Sequence, residues 1–266
     1  MLIVLSPAKA LNFAAPPAVA PLTTPQLADQ TAELAKTTKK LRVADLKRMM
    51  DLSDNLAKLN RERFQAFDPE SEDGLQAAFA FNGDVYLGLK ARELDRKALT
   101  WAQDRVRILS GLYGVLRPLD AIQPYRLEMG VRIKTKRGGS LYDFWGARIS
   151  EQLNAAAESH KDKTLVNCAS SEYFGAVDRA ALKLPVVGCR FVEEKDGEGR
   201  VISFFAKRAR GALARYAIDH RIDRAADLRA FDTGGYRYQA HLSSDEEYVF
   251  TRPQPPPVAA NRRKDA

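Results

Sequence analysis

Short, β-prone apolar runs recur along the whole chain, separated by stretches with helical spacing, and this alternation limits the fold more than any other feature. Leu2–Leu5, Val106–Leu109, Thr164–Cys168, Pro185–Glu193, Arg200–Phe205, Tyr236–Gln239 and Glu247–Thr251 read as strands. Apolar residues at helical spacing run through 26–67 and return at 95–104, 143–159, 176–183 and 204–221. Strands and helices interleave without a strict strand–helix–strand rhythm. That predicts an α/β fold of the mixed α+β kind, a single domain whose mixed β-sheet is flanked by helices. The clearest hairpin is "VVGCRFVEEKDGEGRVISFF", with its turn at Asp196-Gly197. No linker divides the middle, so the domain is expected to span 1–252. The stretch "RPQPPPVAANRRKDA" predicts a disordered, basic, proline-rich tail over 253–266. Residues 12–25 predict a long loop in which Thr24-Pro25 caps a helix.

With 266 residues, 45% of them hydrophobic, the chain can bury one large core or two small ones. Its 42 Lys and Arg against 34 Asp and Glu leave a formal charge of +8, which favours a polyanionic partner. No apolar run is long enough to predict a membrane span. "MLIVLSPAK" lacks a basic segment ahead of its apolar run and reads as a strand, not a signal peptide. Cys168 and Cys189 sit inside apolar segments and read as reduced core thiols, as in a cytoplasmic protein.

Metal chemistry has little support. His160, His220 and His241 are scattered, and neither cysteine has a C-x-x-C partner, so neither a metal site nor a cofactor is expected. Gly138-Gly139 and Gly234-Gly235 are isolated pairs outside any phosphate-loop pattern and read as turns. "SPAK", Ser6 to Lys9, matches the S-x-x-K of serine acyl-enzymes, but it follows a strand, contains Pro7 and lacks the companion motifs. In "NCASSEYFGAV" a strand ends in Asn167, Ser170, Ser171 and Glu172, followed by Tyr173. Strand ends of open sheets are common ligand sites, although Ser171 and Glu172 also suit a helix start.

Three stretches concentrate cations. "LKRMMDLSDNLAKLN" starts as a helix, stalls at Asp51-Leu52-Ser53-Asp54 and starts again, with Lys47, Arg48, Lys58, Arg61 and Arg63 around the break. "ILSGLYGVLRPLDAIQPYRLEMG" is a strand entering a loop in which Arg117 and Arg126 could pair phosphates and Tyr113 and Tyr125 could stack on bases. The alternative for that loop is structural packing. "ISFFAKRARGALARYAI" carries Lys207, Arg208, Arg210 and Arg215 near an expected helix start at Ala206, where cations oppose the macrodipole. A bound anion explains that placement, and so does a salt bridge to Glu193 or Glu194.

Together "SPAK", "FNGDVYLGL", "ILSGLYGVLRPLDAIQPYRLEMG", "NCASSEYF", "SFFAKRARG" and "FTR" resemble, in this order, the YaaA family of bacterial peroxide-stress-resistance proteins. The resemblance covers nearly the whole chain apart from the tail. It implies a role in the hydrogen peroxide response, in limiting free iron and in DNA repair. It also implies binding to duplex or structured DNA through a positive cleft and a helix-hairpin-helix, with no established catalytic activity. The hairpin falls on 44–64, with Met49, Leu52 and Ala57 on its apolar and alanine positions. Asp51 and Ser53 stand where the family pattern has glycines, and Met50 where it has proline.

The expected function is therefore DNA binding without sequence specificity, in the oxidative stress response. The DNA contacts would come from Lys47, Arg48, Ser53, Lys58, Arg61, Arg63, Arg117, Arg126, Lys207, Arg208 and Arg210. The alternative is an enzyme acting on a nucleotide or DNA base in the same cleft, with Lys9, Glu172, Tyr173 and Lys207 as the catalytic candidates.

Overall fold

A computed structural model describes residues 1–14, 21–71 and 73–256. Its frame is a mixed sheet in the order Arg237–Tyr238, Glu247–Pro253, Val186–Lys195, Leu165–Cys168, Leu2–Leu5, Val106–Ser110, Gly114–Leu116, with Glu198–Arg200 added beside Val186–Lys195. The five central strands run parallel. At the centre of the sheet, Leu2–Leu5 and Val106–Ser110 are buried at every position, which is why their sequences are near-continuously apolar.

The strand order turns back at one place. From Leu2–Leu5 the chain moves to its neighbour Val106–Ser110 on one side, then returns to Leu165–Cys168 on the other and continues outward. Such a reversal leaves a crevice beyond the carboxyl ends of the two strands involved, the usual ligand position in open parallel sheets. Here those ends are Ser6-Pro7-Ala8-Lys9 and Ala169-Ser170-Ser171-Glu172.

Several expected boundaries shift. The stretch 26–67 resolves into three helices, Ala28–Thr38, Val43–Met50 and Asp54–Ala66. The first begins at Ala28, after a turn that separates it from Thr24-Pro25. The expected 143–159 helix is two, Leu141–Trp145 and Arg148–Ala156. The 176–183 segment is not helical. The Asp178 carboxylate accepts from Ala180 N (2.9 Å) and Ala181 N (3.4 Å), fixing a turn where a helix was expected.

The Asp196-Gly197 hairpin is present, with both residues at positive φ, but its second strand stops at Arg200. Ser203–Phe205, read above as strand, open the Ser203–Asp219 helix. Ala206, Ala209, Leu213, Ala214 and Ala217 form its buried stripe, and that tertiary contact overrides the β-propensity of "VISFF". The last strand runs through Pro253, and Gln254 N donates to Glu194 O (2.8 Å), beyond the expected domain end at 252. The remaining tail, 257–266, and the loop residues 15–20 lie outside the described residues.

The Ser203–Asp219 helix lies against the Asp84–Leu89 helix at backbone-contact range. A Cβ on Gly211 would fall 1.7 Å from Val85 O, and one on Gly88 would fall 2.0 Å from Arg208 O. Only glycine permits that approach. It fixes Asp84 relative to Lys207 and Arg210.

Candidate nucleic-acid interface

The segments "SPAK", "FNGDVYLGL", "NCASSEYF" and "SFFAKRARG" meet at the reversal of strand order, and the 108–130 loop reaches them through Glu128 and Gly130. Ser6 Oγ accepts from Ser170 N (2.8 Å) and lies 3.4 Å from Ser170 Oγ, joining the two strand ends. Tyr86 OH donates to Ser6 O (3.1 Å), and Ala10–Leu11 pairs antiparallel with Phe81–Asn82. These bonds hold "SPAK" against "FNGDVYLGL". The resulting cleft, about 480 Å³, is lined among others by Lys9, Asn82, Asp84, Glu172, Tyr173, Lys207 and Arg210.

Of the four catalytic candidates, all line this cleft. Lys9 Nζ sits 3.3 Å from Glu128 Oε1, with its side chain largely exposed. Ser6 and Lys9 are not on one helical turn, and the Ser6 hydroxyl serves Ser170, so the acyl-enzyme geometry is not formed. Glu172 Oε1 accepts from Gly130 N (3.0 Å). Burial, reinforced by the Glu172 and Glu128 charges, raises the Tyr173 pKa well above its ordinary value. The phenol therefore stays protonated at neutral pH and acts as a donor, not a base.

The helix start at Ser203 moves Lys207 and Arg210 into the second turn, so the macrodipole opposes them less than the sequence suggested. Nor does Glu193 neutralise them. Its buried carboxylate takes Arg252 Nη2 at 3.2 Å, Arg252 Nε at 3.3 Å, Ile202 N at 3.4 Å and the Tyr236 hydroxyl. Arg210 Nε is buried with no hydrogen-bond partner. Lys207 and Arg208 are exposed and make no ion pair with any described residue.

A second depression, about 760 Å³, carries Lys40, Arg48, Arg132 and Lys134 at its lining, together with Gly130. Because Gly130 N holds Glu172, the two depressions share a wall. The Asp54–Ala66 helix is tied to that wall through Asn60, whose amide exchanges two hydrogen bonds with the Arg126 backbone (2.8 and 2.9 Å).

Over 44–64 two helices, Val43–Met50 and Asp54–Ala66, meet at a corner with Leu52 and Ala57 buried, a shape that does not by itself establish a helix-hairpin-helix. Asp51 adopts the left-handed conformation (φ 50°) where the family pattern has glycine. Its polar groups, however, are engaged. Lys47 pairs with Asp54, Arg48 Nη2 lies 3.3 Å from Asp45, Ser53 Oγ caps Leu56 N at 3.4 Å, and Arg61 Nη1 donates to Lys39 O at 3.3 Å. Burial lowers the Arg63 pKa, and Lys58 is exposed.

The long loop takes its structural alternative. Arg117 clamps Asp120 (2.8 Å) and Thr24 O (2.9 Å), and Arg126 pairs with Glu128 (2.8 Å). Tyr113 and Tyr125 are buried, packed edge-to-face with each other, so neither can stack on a base. Sequence reasoning missed Asn82, Asp84 and Glu128. Asp84 opens a helix in "FNGDVYLGL", but its place beside Lys207 depends on the Gly88 and Gly211 contact.

A third cavity, about 540 Å³, lies between Thr23–Pro25 and Glu70, Ser71 and Asp73, and none of its described lining residues is cationic. Among the described residues no helix is long and apolar enough to cross a membrane, and no group of three His, Cys, Asp or Glu could hold a metal ion.

The family model of the peroxide stress protein YaaA matches residues 1–242. A UPF0246 protein of Phenylobacterium zucineum is 75% identical over 265 residues, covering 100% of both chains. One from Caulobacter vibrioides is 69% identical over 255 residues, 96% of this chain and 100% of the relative. One from Maricaulis maris is 55% identical over 255 residues, 96% and 97%. With four of its motifs lining one cleft and matches of that extent, the chain belongs to the peroxide stress protein YaaA family.

Proposed function

We propose that this chain is a cytoplasmic DNA-binding protein of the hydrogen peroxide response, and that it holds duplex or structured DNA through phosphates along the joined depressions. The observation that carries this is the set of cations at and beside the cleft with no partner among the described residues: Lys207 and the buried Nε of Arg210 in its lining, and Arg208 next to them on the same helix. A buried guanidinium nitrogen without a partner is costly unless a ligand supplies the acceptor, and phosphate is the natural one. Lys40, Arg132 and Lys134 extend the same positive field across the shared wall. Its part in limiting free-iron damage would then be shielding of the DNA itself.

Phosphate binding releases counterions, so affinity for a labelled duplex should fall with a log–log salt slope of about −3 to −5, near −0.9 per contact. No binding at low salt, or binding indifferent to salt, sinks the proposal.

The reversal of strand order also favours chemistry on a nucleotide or DNA base in that cleft, with Glu172 as acceptor and protonated Tyr173 as donor beside Lys9 or Lys207. Turnover of an oligonucleotide that is lost in Glu172→Gln, with binding retained, would select this second possibility. A binding-competent protein that leaves damaged and intact oligonucleotides unchanged rejects it.

A further inference from the structure

Four side chains are piled at the start of the Ser203–Asp219 helix, one turn before the cleft-lining Lys207. The Arg252 guanidinium lies 4.3 Å from the Tyr236 ring centroid and 4.8 Å from that of Phe205. Phe205 in turn stands 4.0 Å, centroid to centroid, from Phe204. The pile is held in place from below. Arg252 is fixed by Glu193 (3.2 Å) and by Gly234 O (2.9 Å), and the Tyr236 hydroxyl donates to Glu193. The last ring, Phe204, is 53% exposed.

A phenylalanine left in water on a rigid support is an unusual use of a large apolar side chain. Its surroundings say what it suits. Lys207 and Arg208 follow three and four residues later on the same helix, hence on the same face, about 4.5 to 6 Å further along the axis. Neither has an ion-pair partner among the described residues. A flat π surface beside two free cations matches one nucleotide, base on ring and phosphate on ammonium or guanidinium.

We propose that Phe204 is a stacking platform for an unpaired DNA base, which makes single-stranded or locally opened DNA the preferred ligand at the start of this helix. It rests on the DNA-binding function proposed above. Bases within an intact duplex already have both faces stacked, so only an unpaired one can use the ring. Duplex affinity therefore depends on the cations alone, whereas single-strand affinity depends on the cations and Phe204.

The test is fluorescence anisotropy with a labelled single-stranded oligonucleotide and its duplex, together with the emission of 2-aminopurine placed in the single strand. The wild type should quench 2-aminopurine on binding. Phe204→Leu should relieve the quenching and weaken single-strand binding about tenfold, within the range of one lost base–aromatic stack, while leaving the duplex constant unchanged. Phe204→Trp should restore both. An exposed position tolerates either change, which thermal melts on the same preparations verify. If Phe204→Leu binds and quenches as the wild type does, while Lys207→Gln weakens both ligands, the platform is wrong and DNA binding stands. Binding of neither ligand by the wild type overturns both.

Discussion

Two segments of this chain look alike as sequences, and the folded molecule treats them oppositely. Residues 47–63 and 207–215 are both dense in lysine and arginine. At the corner Lys47 has Asp54, Arg48 has Asp45, Arg61 has a backbone carbonyl, and Ser53 caps the helix it precedes. Along the cleft helix Lys207 and Arg208 have no such partners among the described residues, and Arg210 buries an unpartnered nitrogen. Arg215, two turns on and away from the cleft lining, is neutralised by Asp219 at 2.8 Å. Charge density read along a chain measures what can be attracted. Pairing decides what is left to attract it.

The sharpest way to break that contrast is to move the cleft helix. Gly211→Val would drive a side chain into Val85 O, which leaves no room for a Cβ. Overpacking against rigid backbone should cost about 3 kcal/mol or more, and the melting temperature should fall accordingly. A variant that melts like the wild type would show that the two helices can part, and that Asp84 is not held beside Lys207 by this contact.

The next effect is on binding. Lys207→Gln with Arg210→Gln should weaken DNA binding at least tenfold, about 1.4 kcal/mol, with unchanged or higher thermal stability. Removing a guanidinium whose Nε lacks a partner relieves a desolvation cost, so the fold has little to lose. Normal binding with a lowered melting temperature would make these cations structural.

Much of the frame was legible before folding. Fully apolar runs such as Leu2–Leu5 and Val106–Ser110 announce buried strands, because a two-sided sheet position admits little else. The polar cluster after Cys168 marked a strand end. What could not be read was which strand end it would face. Ser6 and Ser170 are 164 residues apart, and only the order of the sheet brings them to 2.8 Å. The partners of the cations were equally hidden. Arg48 and Asp45 are helix neighbours that spacing can suggest, but Lys47 reaches Asp54 only because Asp51 turns the chain through a left-handed residue. The "VISFF" stretch misled for a related reason. Its β-branched and aromatic residues favour a strand, and the alanine stripe that follows, buried against the sheet, draws them into a helix.

Smaller effects belong to the corner. Ser53→Ala removes the cap on the Asp54–Ala66 helix and should cost about 0.5 to 1 kcal/mol of stability, the low end for such caps given its 3.4 Å bond. Binding should stay as it was, since that hydroxyl already serves Leu56 N. A loss of affinity without a loss of stability would instead put Ser53 on a phosphate.

The smallest expected effect decides how the comparison is finally drawn. Lys47 lies against Asp54, and Lys58 also acts on the Asp54 charge, so the corner presents less positive field than its composition promises. Both side chains are exposed, and exposed pairs are screened by salt. Lys47→Gln with Lys58→Gln should therefore weaken duplex binding less than about threefold, roughly 0.6 kcal/mol. The shift should fade further as ionic strength rises toward 0.15 M, where the screening length is about 8 Å. Gel-shift titrations at two salt concentrations, run beside the cleft double variant, measure both changes on one scale. If the corner variant loses more affinity than the cleft variant, Lys47 gives up Asp54 when DNA arrives. The helix–corner–helix would then be the main grip, and the free cations of the cleft would serve a bound nucleotide instead of the DNA track.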